Sequence, residues 1–153
     1  MIRINFQQIP EQLMSCMMQT ENHINSLEIM HEKQLELMRF YVSQINQCAY
    51  CIDMHFKEAI AAGENELRLY SVSVWRETSY YTESERAMLE WAESITLLND
   101  NAEQQQAVFL KLSQYFNIEE TANLTLAIIQ INSWNRLAKS FGFEPGSYKV
   151  SQA

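Results

Sequence analysis

Between Pro10 and Pro145 the chain contains no proline and only two glycines, Gly63 and Gly142. Strand-rich folds reverse direction every few residues and draw on those two residue types to do so. A chain this poor in them has to cover its length with helices. The expected fold is therefore all-α, a compact bundle of about six or seven helices. With 153 residues, 47% of them apolar, the chain suits one domain spanning 1–153 and can bury a real core. No internal repeat, linker or low-complexity segment divides it.

In order, a short lead from Met1 to Pro10 is followed by a predicted helix over Glu11 to about Asn25, with Leu13, Met17 and Ile24 on one side. A second helix is expected from about Leu27 to Asn46, with Met30, Leu37, Met38, Tyr41, Val42 and Ile45 inward. The third runs from near Cys48 to the Gly63 that ends it. Glu64 to Trp75 reads as a shorter helix with Leu67, Tyr70 and Val74 inward, and Arg76 to Tyr81 as a loop. Thr82-Glu83-Ser84-Glu85 is a capping-box pattern, after which Met88, Trp91, Ala92, Ile95 and Leu98 recur at helical spacing. Asn99 to Asn101 breaks that helix, and the next, Ala102 to about Phe116, should bury Val108, Leu112, Tyr115 and Phe116. Asn117 to Glu120 resembles another cap. The last helix, to about Phe141, is apolar nearly all round from Leu124 to Ile131, which implies burial on most sides. Gly142 to Ala153 reads as a polar tail.

The chemistry concentrates in Gln44 to Ala62, QINQCAYCIDMHFKEAIAA. On a helix, residues three and four apart are neighbours, so Cys51 sits beside both Cys48 and His55 while Tyr50 and Asp53 point elsewhere. A cysteine in a helix's first turn feels the unpaired N–H groups and the positive dipole end, which favour thiolate. Such a pair is redox active or metal binding. The short turn before it makes an antiparallel hairpin with the preceding helix, on which Glu36 shares a side with Phe40 and Ser43. At ~1.5 Å per residue, Glu36 and His55 stand ~15 and ~10 Å from that turn, so they can meet across the hairpin.

Nineteen acidic residues against eleven basic ones give a net charge of −8, which repels nucleic-acid backbones and anionic membrane surfaces. The N-terminal residues lack the basic and apolar regions of a secretory signal, and no apolar run reaches the length of a membrane span. Three cysteines, two of them in a C-x-x-C, fit a reducing compartment. A cytoplasmic location is expected.

The stretch ELMRFYVSQINQCAYCIDMH, Glu36 to His55, resembles the signature of the carboxymuconolactone decarboxylase-like superfamily, in its alkylhydroperoxidase D-like (AhpD-like) branch. SVWRE at Ser73 to Glu77 and LAIIQINSWNRLA at Leu126 to Ala138 are similar to that branch too, so the likeness covers most of Leu27 to Phe141. The resemblance implies an all-α homo-oligomer, a trimer or hexamer, that reduces hydroperoxides through a thiol-disulfide cycle. It assigns Cys51 as the attacking thiol, whereas position at the helix end alone favours Cys48, which becomes the resolving cysteine. Glu36 and His55 then form the proton relay. No metal or organic cofactor is implied, and the partners are a hydroperoxide and an external dithiol, lipoyl or thioredoxin-like.

The sequence departs from the branch in having Tyr50 where some members carry a second histidine, and Phe40-Tyr41 where relatives often read Leu-Arg. The cysteine pair counts against a decarboxylase, whose members lack it. Two alternatives stay open: a zinc site of Cys48, Cys51, His55 and Glu36, and a non-catalytic redox sensor. Cys16, His23 and His31 have no partner at a telling spacing. Trp134, Asn135 and Arg136 are expected to fix helix packing or a subunit contact, Arg136 being the one that could reach the pocket.

Overall fold

The computed structural model describes residues 1–28 and 30–150, and among them it contains seven α-helices, two short 3-10 segments and no strand. The helices are α1 (Glu11–Asn25), α2 (Glu32–Ile45), α3 (Ala49–Ala61), α4 (Glu66–Ser71), α5 (Glu83–Leu97), α6 (Ala102–Leu112) and α7 (Ile118–Phe141). No helix among the described residues is long and apolar enough to cross a membrane. The domain is all-α, as the scarcity of chain-breaking residues requires.

Helix α2 is the centre. Nine consecutive residues, Leu35 to Ser43, are buried, because α3, α5 and α7 pack on different sides of it. Leu37, Met38 and Val42 share one continuous core with α5 and α7 residues such as Met88, Leu89, Leu124 and Ile128. Each such side chain contributes roughly 1.5–3 kcal/mol by leaving water. Capping is done locally: Thr82 with Glu85, Asn101 with Gln104 and Asn117 with Glu120 form reciprocal side-chain to backbone bonds at the starts of α5, α6 and α7. In α7, Leu124, Ala127, Ile128, Gln130 and Ile131 are buried, and Ile129 alone of the apolar run is exposed.

Several expectations fail at helix ends. Leu67, Tyr70 and Val74 are exposed, and the buried side chains are Leu69, Val72 and Trp75. After Ser71 the chain tightens into a 3-10 segment, Val72–Glu77. The segment is kinked at Val74, whose φ of −121° and ψ of 31° are not helical, whereas the 67, 70, 74 stripe supposes an α-helix throughout. Leu98 is exposed because it occupies the left-handed cap of α5, with φ 52°, where the chain turns away from the core. Tyr115 is exposed because α6 stops at Leu112. The second helix begins at Glu32 with His31 as its cap rather than near Leu27, and the part of that expectation on residue 29 lies outside the described residues.

The tail is better organised than its composition suggests. The Gly146 N–H donates to Asp53 Oδ2 at 3.0 Å, and Lys57 Nζ donates to the Tyr148 carbonyl at 3.0 Å. Residues 151–153 of the expected tail lie outside the described residues. At the other terminus, Arg3 donates through its backbone to Phe141 and through its guanidinium to the Ser140 and Lys139 carbonyls, laying the N-terminal segment across the end of α7.

Candidate active site

The α2–α3 hairpin builds the site. Gln47, with φ 52°, reverses the chain, and the Cys48 N–H caps the end of α2 by donating to the Ser43 carbonyl at 3.0 Å. Cys48 thereby becomes the N-cap of α3, and Cys51 falls in the first turn of that helix. The two are joined as a disulfide with Cα atoms 5.3 Å apart. Both are buried, against Ala138, Tyr50 and Phe143.

A cavity of about 830 Å³ opens beside them, within the size range that holds small-molecule ligands. Cys51, His55 and Glu36 line it, and Cys48 does not. His55 Nδ1 and Glu36 Oε2 are 2.7 Å apart, both side chains buried. Glu36 also accepts from Arg39 Nη1 at 2.6 Å. Burial alone would raise the Glu36 carboxyl, but the hydrogen bonds and charges of His55 and Arg39 outweigh it and hold the group below 4.5. An ionised carboxylate only accepts, so Nδ1 must carry the proton of that contact. In the neutral ring this leaves Nε2 with a free lone pair.

The array extends further than the sequence reading placed it. Arg39 Nη2 donates to Glu21 and, at 2.9 Å, to Asn25 Oδ1. Glu21 in turn accepts from Trp134 Nε1 at 2.9 Å. Four helices are thus tied by one chain of polar contacts, His55 to Glu36 to Arg39 to Glu21 to Trp134, buried at Glu36 and Arg39 and half-buried at Glu21 and Trp134. Arg39 stands three residues after Glu36, a spacing that puts both on one helix face and was the available signal for it. Glu21, on a different helix, carried none.

The other singled-out residues divide. Asn135 is fully buried, donating to Ser43 Oγ at 3.1 Å and accepting from Asn46 Nδ2 at 2.8 Å, so it locks α7 to the end of α2. Arg136 does not reach the cavity, because it folds back on Asn132 one turn earlier. Tyr50 joins an aromatic cluster over the disulfide, its ring 5.3 Å from Phe143, which stacks on Phe6 at 4.2 Å. Phe40 packs on Phe56, and Tyr41 accepts from Trp75 Nε1 at 3.2 Å; neither lines the cavity. Cys16 is an exposed free thiol. Among the described residues no three His, Cys, Asp or Glu side chains are grouped to hold a metal ion.

A buried Cys48–Cys51 disulfide at a helix start, with Cys51 on the wall of a cavity beside a carboxylate–imidazole pair, is what this all-α fold assembles. The chain belongs to the carboxymuconolactone decarboxylase family, whose model matches residues 12–94. It is 35% identical to the uncharacterized protein YdfG of Bacillus subtilis (strain 168) over 140 residues, covering 92% of this chain and 94% of that one. A solved structure of an Agrobacterium tumefaciens protein of unknown function, described as a candidate antioxidant defence protein AhpD, superposes with a TM-score of 0.89 at 34% identity. That match covers 97% of this chain and 100% of the other. The alkylhydroperoxidase AhpD core of a peroxidase-related protein from Ralstonia eutropha JMP134 has a TM-score of 0.76 at 19% identity, covering 89% and 72%, a likeness of fold. The fold is the AhpD-like one.

Proposed function

We propose that the protein is a thiol-dependent peroxidase that reduces hydroperoxides through the Cys48–Cys51 dithiol. The observation carrying this reading is that Cys51 shares a cavity wall with the His55–Glu36 pair, whereas Cys48 sits behind it. An external dithiol, lipoyl or thioredoxin-like, first reduces the disulfide by two electrons and is itself oxidised. His55 Nε2 then takes the Cys51 proton, helped by the N-terminal field of α3, and Glu36 stabilises the imidazolium formed. The thiolate attacks the outer oxygen of the peroxide, the O–O bond breaks, and the leaving alkoxide takes the proton from His55 to depart as alcohol. Cys51 is now a sulfenic acid. The Cys48 thiol attacks its sulfur, water leaves, and the disulfide is restored.

The test is loss of cumene hydroperoxide in the presence of excess dithiothreitol. Cys51→Ser should abolish consumption with helicity unchanged. Cys48→Ser, with no external thiol, should complete one turnover and leave a sulfenic acid that dimedone traps. Full activity in Cys51→Ser, or wild-type consumption limited to one peroxide per chain, would refute the enzyme.

A further inference from the structure

The cavity beside Cys51 has apolar walls and a negative charge. Met14, Met18, Met30 and Met54 line it, and unbranched thioether side chains adapt to ligands of different outline. Four carboxylates also line it, Glu21, Glu32, Glu36 and Glu58, against one guanidinium, that of Arg39. At formal charge, with His55 neutral, four negative groups and one positive leave a net −3. Arg39 is already committed, Nη1 to Glu36 and Nη2 to Glu21 and Asn25, and it is buried. Lys57, the lysine of α3, is turned to Asp53 and to the Tyr148 carbonyl. The described residues lining the cavity therefore offer no lysine or arginine terminus free to receive a carboxylate.

We propose that this site takes uncharged organic hydroperoxides with a bulky apolar body and discriminates against those that carry a carboxylate, such as free fatty-acid hydroperoxides. The proposal rests on the peroxidase reading, and the bonds made and broken are those given above, with an external dithiol as reductant. A carboxylate entering here gives up hydration, meets no counter-ion, and stands among like charges. The expected discrimination is at least about tenfold.

The probes are cumene hydroperoxide, its 4-carboxy derivative and the methyl ester of that derivative, which share one reactive body. With dithiothreitol as reductant, kcat/KM for the ester should stay close to the parent and that for the acid should fall at least about tenfold. The ester-to-acid ratio should narrow in Glu32→Gln and Glu58→Gln and on raising salt, since exposed charges are screened. Equal kcat/KM for acid and ester overturns the proposal. The corresponding alcohols, which cannot react, supply a second readout by quenching Trp134 fluorescence, with Trp134→Phe as the blank. Tighter binding of the neutral alcohols supports the selectivity even if no peroxide is consumed, which would sink the peroxidase reading alone. Equal binding of the carboxylate overturns the selectivity itself.

Discussion

Replacing Arg39 with methionine removes the positive charge that lies between two carboxylates while keeping a side chain of similar reach. The Arg39 and Glu36 side chains retain 8% and 6% of their exposure, and that of Glu21 retains 17%. Taking one partner from a buried ion pair typically costs about 3–5 kcal/mol, because the remaining charge stays out of water. Here each carboxylate keeps another donor, His55 for Glu36 and Trp134 for Glu21, so the lower end, about 3 kcal/mol, applies. For a domain of this size that lowers Tm by about 6–12 °C.

The loss should also depend on pH. In the folded protein Glu36 is held below its ordinary value of 4.5, so its ionisation contributes stability above that value that is lost as pH falls through the folded pKa. Without Arg39, burial still raises the group but less opposes it, so acidification removes less stability from the variant. The gap between wild type and Arg39→Met should therefore be widest near neutral pH and narrow on descending below 4.5. Far-UV circular dichroism melts across that range measure it. A variant within about 1 kcal/mol of wild type at neutral pH, or a gap that widens in acid, would refute the account of a buried charge array.

Two further outcomes follow from the packing. Asn135→Ala removes the buried donor to Ser43 Oγ and one of the two acceptors of Asn46 Nδ2, leaving Asn46 its bond to Asn132, and should cost about 2 kcal/mol, read as a fall of about 4–8 °C in Tm; an unchanged melt would mean the network is not what joins α7 to α2. Gly142→Ala places a methyl group at φ +77° and against the Met1 carbonyl, so it should dislodge the N-terminal segment and speed trypsin cleavage after Arg3 without unfolding the bundle; cleavage at the wild-type rate would show that the segment is not held there.

Much of the architecture was legible because it rests on local rules. The capping patterns at Thr82 and Asn117 state where two helices begin, and the short Asn46–Gln47 turn makes α2 and α3 antiparallel neighbours. The contact of Glu36 with His55 followed from counting helical rise on either side of that turn. What failed was the choice between two apolar stripes over Leu67 to Trp75, where the register depends on whether the chain stays α-helical or tightens to 3-10. Periodicity cannot decide this, since both stripes are apolar and only the neighbouring helices select one.

The spacing of Cys48, Cys51 and His55 along one helix, and the near absence of residues that would interrupt helices, were enough to set the class of fold and to gather a dithiol beside an imidazole. Those are properties of a single element and its nearest neighbour, governed by 3.6 residues per turn. Which sulfur lines the cavity, that Glu21 from α1 completes the charge array, and that the cavity is negative with its one guanidinium committed are decided by how α1, α3 and α7 close around α2. Side chains distant in the chain meet there, and no local periodicity encodes their meeting.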